Sequence, residues 1–312
     1  MSTRKFGFAD QIITPTHPEC VYLDGYGFRV HPAEAVRDDL HAKVCAIVDG
    51  EDIFLLFSID LVGLRSRVYE LVADQITSLT GVPRERMALT CIHTHAAPAT
   101  GLLDELPINY DYFAYVGECC GRAALRAIER ACAGTFCFEI LPTQIEHAYN
   151  RRGREIIDRT VRAATFRDEA GVLRGVLCTA ACHAVVNTQY TVSADWLSEL
   201  NAVSSDEVPY LYFQGRCGDI DPYFEGKPTV DEKISILGRD FIEPVRAASE
   251  ASGAGVSLDG ELCWTCEQVR IPMMVLDDVD ALKADIAAHE KAYFAADPTD
   301  IKKHYNLRKL QW

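Results

Sequence analysis

The chain has 312 residues, 48% of them hydrophobic, and a formal net charge of -15. That length supports one large α/β domain or two smaller ones. The acidic balance argues against nucleic acid as a partner, because phosphates need a basic footprint, and against docking on anionic lipid.

Residues 1–10 carry Arg4 and Lys5 with no apolar run behind them, so no secretory signal is expected. No stretch reaches the roughly 18 apolar residues of a membrane span. Apolar runs at 44–48 and 53–59, split by Asp49-Gly50-Glu51-Asp52, predict a hairpin. Val68, Leu71, Val72, Ile76 and Leu79 recur at helical spacing until Gly81-Val82-Pro83 stops them. A third strand follows at 87–92. Phe113, Val116, Cys120, Ala124, Ala127 and Ala131 then mark a second helix, with Gly134 as its stop. Strand, helix, strand, helix is an α/β pattern.

The middle of the chain is strand-rich, at 136–145, 163–167 and 172–180, with Asp168-Glu169-Ala170-Gly171 as a tight turn between the last two. Residues 210–213 read as another strand. Thr229 to Glu232 forms a capping box ahead of Ile234, Leu237, Phe241 and Val245, and Pro244 is expected to kink or end that helix. Residues 262–271 read as strand and 279–294 as an amphipathic helix. The fold class expected is α/β, with mixed parallel and antiparallel sheets flanked by helices. The terminus at 304–312 ends on Trp312 without a polar tail and reads as interrupted.

Among the twelve cysteines, Cys45, Cys91, Cys178 and Cys182 sit between apolar neighbours and read as small buried hydrophobes. A reducing cytoplasm suits this distribution better than a disulfide framework. Cys263-Trp264-Thr265-Cys266 is an isolated CxxC with no second pair, so it reads as two strand cysteines rather than zinc ligands.

His93 and His95 flank Thr94 at the end of the third strand, where i and i+2 would share a face, and Pro98 closes the segment. Imidazole nitrogen suits zinc and similar metals, although hydrogen-bonded histidines at a strand edge fit the pair equally well. His183 ends a second strand and favours one shared site. Asn150-Arg151-Arg152-Gly153-Arg154 is a basic cluster in an acidic chain, either a solvated turn or an anion clamp. In Gln214 to Pro222, two glycines allow close backbone approach, and the acids are placed to orient a ligand histidine from behind.

Phe8-Ala9-Asp10, Ile13-Thr14-Pro15, residues 36–42, Ser58 to Leu61, Thr90 to Pro98, Asn150-Arg151-Arg152, His183 with Ser193-Ala194-Asp195, and Gln214 to Pro222 stand in an order that resembles the neutral/alkaline non-lysosomal ceramidase family. The resemblance implies a zinc-dependent hydrolase of linear amides, converting an N-acyl amine to an acid and an amine with metal-activated water. By that resemblance His93 and His183 bind Zn2+, while His95 and Arg151 act on the reacting centre. Asp195, Gly215 and Asp219 are expected to contact substrate. The family's two further ligands, a Glu in a Pro-Gly-Glu-like segment and a Tyr in a Gly-Gly-Tyr-Glu-like segment, do not occur here. Residues 1–312 therefore read as a single ceramidase-like catalytic domain, incomplete at its C-terminus. A small amide or lipid-like substrate and a cytoplasmic location are expected, and a homo-oligomer is compatible. Two alternatives stay open: a non-catalytic ceramidase-like binding protein, and a TIM-barrel amidohydrolase, which also places an HxH pair after a strand.

Overall fold

The computed structural model describes residues 4–101, 106–251, 255–258, 263–267, 269–270 and 279–295. In chain order the elements are β1 (Lys5–Ile12), β2 (Ala35–Val36), β3 (His41–Asp49), β4 (Asp52–Ile59), α1 (Ser66–Thr80), β5 (Met87–Cys91) and α2 (Tyr110–Glu129). Next come β6 (Cys132–Gln144), β7 (Ala148–Asn150), β8 (Thr160–Asp168), β9 (Leu173–Ala180), β10 (Thr191–Val192) and α3 (Ser198–Val203). The last are β11 (Tyr210–Gln214), β12 (Ile220–Pro222), α4 (Val230–Glu250), β13 (Val256–Ser257) and α5 (Val279–Phe294).

The main sheet runs β11-β9-β8-β6-β1-β3-β4-β5, with β13 added to β6. Within it only β4–β5 and β9–β11 are parallel; the remaining pairs are antiparallel. The mixed sheet with flanking helices is the architecture expected from the sequence. A TIM barrel is excluded, since that fold closes eight parallel strands.

The sheet curls so that β11, at one end of the order, faces β3 and β4 near the other. Lys43 Nζ donates to the Tyr210 carbonyl at 3.1 Å, and Ser58 Oγ to that of Tyr212 at 2.7 Å. Alternation along the strands gives the sheet two apolar faces. Phe8, Cys45, Ile47, Phe166 and Leu211 form an inner core, with Phe6 and Phe136 packed against it. The opposite positions, among them Ala9, Val44, Phe57 and Val176, join a larger core beneath the helices. There α2 covers β1 and β3 and packs on α1, while α4 covers β6, β8 and β9. Gly7 permits the closest of these approaches: a Cβ at that position would lie 1.8 Å from the Ala127 carbonyl oxygen.

Several boundaries differ from the sequence reading. The helix expected to reach Ala131 stops at Glu129, and Gly134 lies inside β6. Pairing of Cys132 with Phe6 and Ala133 with Lys5 takes the chain into the sheet at once. Pro244 does not end α4, which continues to Glu250 because Ile234, Leu237, Phe241 and Val245 bury one continuous face. Within 262–271, the described residues 263–267, 269 and 270 are not strand, and Cys263 and Cys266 are exposed. In α5 the described side chains, Ile286 excepted, are largely exposed, so the expected buried face is not seen among them. The expectation for 304–312 lies outside the described residues. All twelve cysteines are free thiols. Among the described residues, no helix is long and apolar enough to cross a membrane.

Candidate metal centre

Both parallel pairs finish at the same end of the sheet, and the loops leaving β5, β9 and β11 meet there. Thr94 bridges Ala184 in parallel, His95 N donates to the Ala184 carbonyl at 3.0 Å, and His183 N donates to that of Ile220 at 3.0 Å. The two-residue spacing of His93 and His95 is not a strand repeat, as the sequence reading had it. β5 ends at Cys91, and His93 has left-handed backbone with φ +66°. For a residue with a Cβ this conformation is costly and concentrates at functional sites. Here it swings the His93 ring toward the loop that carries His183.

The imidazoles of His93, His95 and His183 form a triangle, with ring centroids 5.0, 4.8 and 5.3 Å apart. The His93 and His95 rings are held from behind through Nδ1. His93 Nδ1 lies 2.5 Å from the Val62 carbonyl oxygen and His95 Nδ1 lies 3.1 Å from that of Gly25. His183 Nδ1 faces Asp221 Oδ1 at 3.2 Å. Carbonyls only accept, so Nδ1 of His93 and of His95 carries the proton and their Nε2 atoms are left with a lone pair. The His93 and His95 Nε2 atoms face each other at 3.4 Å.

Two facing lone pairs repel unless a cation sits between or beside them. The rings do not supply that charge themselves. Burial holds His93 below the ordinary imidazole value and His95 well below it, and the neighbouring imidazoles push the same way. Neutral His93 and His95 of fixed tautomer, with His183 beside them, make a donor set for a divalent metal, and the carboxylate behind His183 is the partner that metal-binding histidines commonly have. The residues fit such an ion. Cys217 Sγ stands beside them: the ligand atoms of His93, His183 and Cys217 lie within 4.8 Å of one another.

Arg151 reaches the site through the short β7–β12 pairing, in which Asn150 opposes Ile220 and Tyr149 opposes Asp221. Its guanidinium donates to the Gly218 carbonyl at 2.7 Å and stands 3.6 Å from Asp221 Oδ2. Asp221 thus joins His183 to Arg151. Burial raises its carboxyl, but His183 and Arg151 outweigh this and hold it below the ordinary value, as a carboxylate. The acid behind a histidine expected in the stretch 214–222 is therefore Asp221. Asp219 steadies the neighbouring turn instead: its carboxylate accepts from Asn150 Nδ2 at 3.2 Å and its carbonyl from Arg151 N at 2.9 Å. Gly215 presses against the end of β9, where a Cβ would lie 2.8 Å from the Ala180 carbonyl oxygen. Asp195 lies one layer behind, fully buried at φ +61°, and accepts from the backbone N–H groups of Asn187 at 2.6 Å and Trp196 at 2.8 Å. Trp196 Nε1 in turn donates to the His183 carbonyl at 3.2 Å.

The sequence reading missed the wall behind His95. Gly25 has φ +97°, and a Cβ there would lie 2.4 Å from the His95 ring. Arg29, almost wholly buried, donates to the carbonyls of His95 and Asn187. Tyr26 sets its ring edge-to-face with His95 at 5.5 Å. A glycine between Asp24 and Tyr26 was the available signal, but that loop has no periodicity to single it out. Cys217 was also missed as a site residue. In front of the histidines opens a cleft of about 380 Å³, lined by Tyr26, His95, Tyr149, Arg151, Val185, Phe224 and Lys233 among others.

By sequence, no family model and no curated protein matches the chain. By structure it is similar to neutral ceramidase from Pseudomonas aeruginosa, with a TM-score of 0.70 and 18% identity over 84% of this chain and 46% of that one. It is also similar to a ceramidase complexed with C2, with a TM-score of 0.68, 17% identity and the same coverage. The chain thus has a neutral-ceramidase-like fold and spans a little under half the length of these two neighbours.

Proposed function

We propose that this protein is a metal-dependent hydrolase of linear amides, acting on an N-acyl amine to give an acid and an amine, with zinc as the metal. One observation carries the reading: on a ceramidase-like fold, the ligand atoms of His93 and His183 lie within 4.8 Å of each other and of Cys217 Sγ. His93 and His183 hold the metal. When bound, a divalent ion supplies Lewis acidity, polarising an amide carbonyl and acidifying water near neutral pH. His95, whose Nδ1–H is occupied by Gly25, has Nε2 free to accept a proton and return it to the leaving amine. Arg151, half-exposed in the cleft, places positive charge where an oxyanion develops. Tyr26, Tyr149, Val185 and Phe224 give the acyl side of a small lipid-like substrate an apolar wall. Asp195, Gly215 and Asp219 serve the substrate site by shaping its loops. Free thiols throughout suit the cytoplasm.

Elemental analysis together with amine release from a short N-acyl amine tests this. Near-stoichiometric metal is expected in the wild type and little in His93→Ala or His183→Ala. His95→Ala is expected to keep the metal and lose about 10²–10⁴-fold in turnover, the range of a proton-transfer residue. A wild-type chain that takes up no metal, or a His95→Ala variant with full turnover, overturns the reading.

A further inference from the structure

We propose that the thiolate of Cys217 is the third protein ligand of this metal. The inference rests on the metal reading above and deepens it.

His93 and His183 supply two ligands among the described residues, and catalytic zinc sites generally have three protein ligands. Nδ1 of His93 is taken by Val62, which leaves its Nε2 for the ion, and His183 Nδ1 faces Asp221 Oδ1 at 3.2 Å. Cys217 Sγ completes a group whose ligand atoms all lie within 4.8 Å, and among the described residues no other three His, Cys, Asp or Glu side chains form one. The sulfur is aimed by its own turn. Cys217 N donates to the Gly215 carbonyl at 2.8 Å and its carbonyl accepts from Ile220 N at 2.8 Å. Gly215, pressed on the end of β9, sets where that turn begins. The same turn runs on into Asp221, which holds His183, so one short segment places both a ligand and the carboxylate behind another ligand.

The thiol gives up its proton to solvent as the ion binds. A sulfur ligand at about 2.3 Å and imidazoles at about 2.0–2.1 Å describe an ordinary mixed zinc site, with a fourth position open for water or substrate. The thiolate cancels one charge of a divalent cation and keeps the ion in a pocket walled by neutral rings.

Cobalt(II), added to the metal-free chain in which Cys263→Ser and Cys266→Ser remove the exposed CxxC, is the probe. A near-ultraviolet sulfur-to-cobalt charge-transfer band is expected. It disappears in Cys217→Ser, which also binds cobalt at least roughly tenfold more weakly, the lower bound seen even for partners behind a ligand. X-ray absorption of the zinc-loaded chain with Cys217 intact decides the matter if Cys217→Ser fails to fold: a sulfur shell near 2.3 Å is expected beside the nitrogen shell. Cobalt that binds in a His93-dependent manner without the band, or zinc with a nitrogen and oxygen shell only, overturns the Cys217 assignment and leaves the metal reading standing. No His93-dependent metal at all overturns both.

Discussion

Gly25 occupies a conformation that side chains avoid, and the space a Cβ would take is filled by the ring of His95. Gly25→Ala is therefore expected to cost about 1–3 kcal/mol in stability. It should lower amine release while leaving metal content unchanged, because His95 moves and His93 and His183 do not. Urea melts and elemental analysis on one preparation check both parts. Asp195 offers a test of linkage. Burial lifts its carboxyl from 3.8 to about 6. Between those values the folded state holds a proton that the unfolded chain has released. Stability from this group is thus full below pH 3.8 and lost as pH rises through 6, by about 3 kcal/mol in all. Asp195→Asn lacks that titration. The wild type should lose stability relative to the variant between pH 4 and pH 7, and a constant difference in urea melts across that range would refute the assignment.

At the scale of elements, the first turn of α4 bears on the site, because Lys233 lies there and lines the cleft. Thr229 caps that turn, its hydroxyl accepting from Glu232 N while the Glu232 carboxylate accepts from Thr229 N. Thr229→Ala should cost about 1 kcal/mol, with faster amide exchange confined to the start of α4. This capping box was legible in the sequence, as were α1, the β3–β4 hairpin and most of the strand-rich middle, since each depends on local spacing. β1 was not. Its inward residues, Phe6 and Phe8, alternate with Gly7 and Ala9, whose small size lets α2 approach and erases the period of two. The overrun of α2 has the opposite cause: Ala131 fits the helical period, but pairing of residues 132–133 with β1 is distant in sequence and wins. The site divides in the same way. Its histidines announce themselves by chemistry and by sitting where strands end. Cys217, Gly25 and Arg29 owe their places to loops brought together by β9, β11 and β12.

At the scale of the whole molecule, a metal on His93, His183 and Cys217 would tie the loop after β5 to those after β9 and β11, joining the two parallel pairs of the curled sheet. Anything that binds only the folded state stabilises it by mass action. At a hundredfold excess of metal over its Kd, about 2.7 kcal/mol is expected, seen as a rise in Tm that a chelator reverses. The rise should be absent in His93→Ala. An equal response to metal in wild type and variant would mean that the ion acts elsewhere.

The same convergence of distant loops sets an order of events during synthesis. His93 leaves the ribosome long before Cys217, and at 5–20 residues per second the interval is roughly 6–25 s. Until its end the early histidine lacks at least one of its partners from the later loops, and the nascent chain holds no assembled chelator. Metal capture on this geometry belongs after translation of β11 and β12. A growing polypeptide that takes up an ion at this site would do so only once the pocket exists.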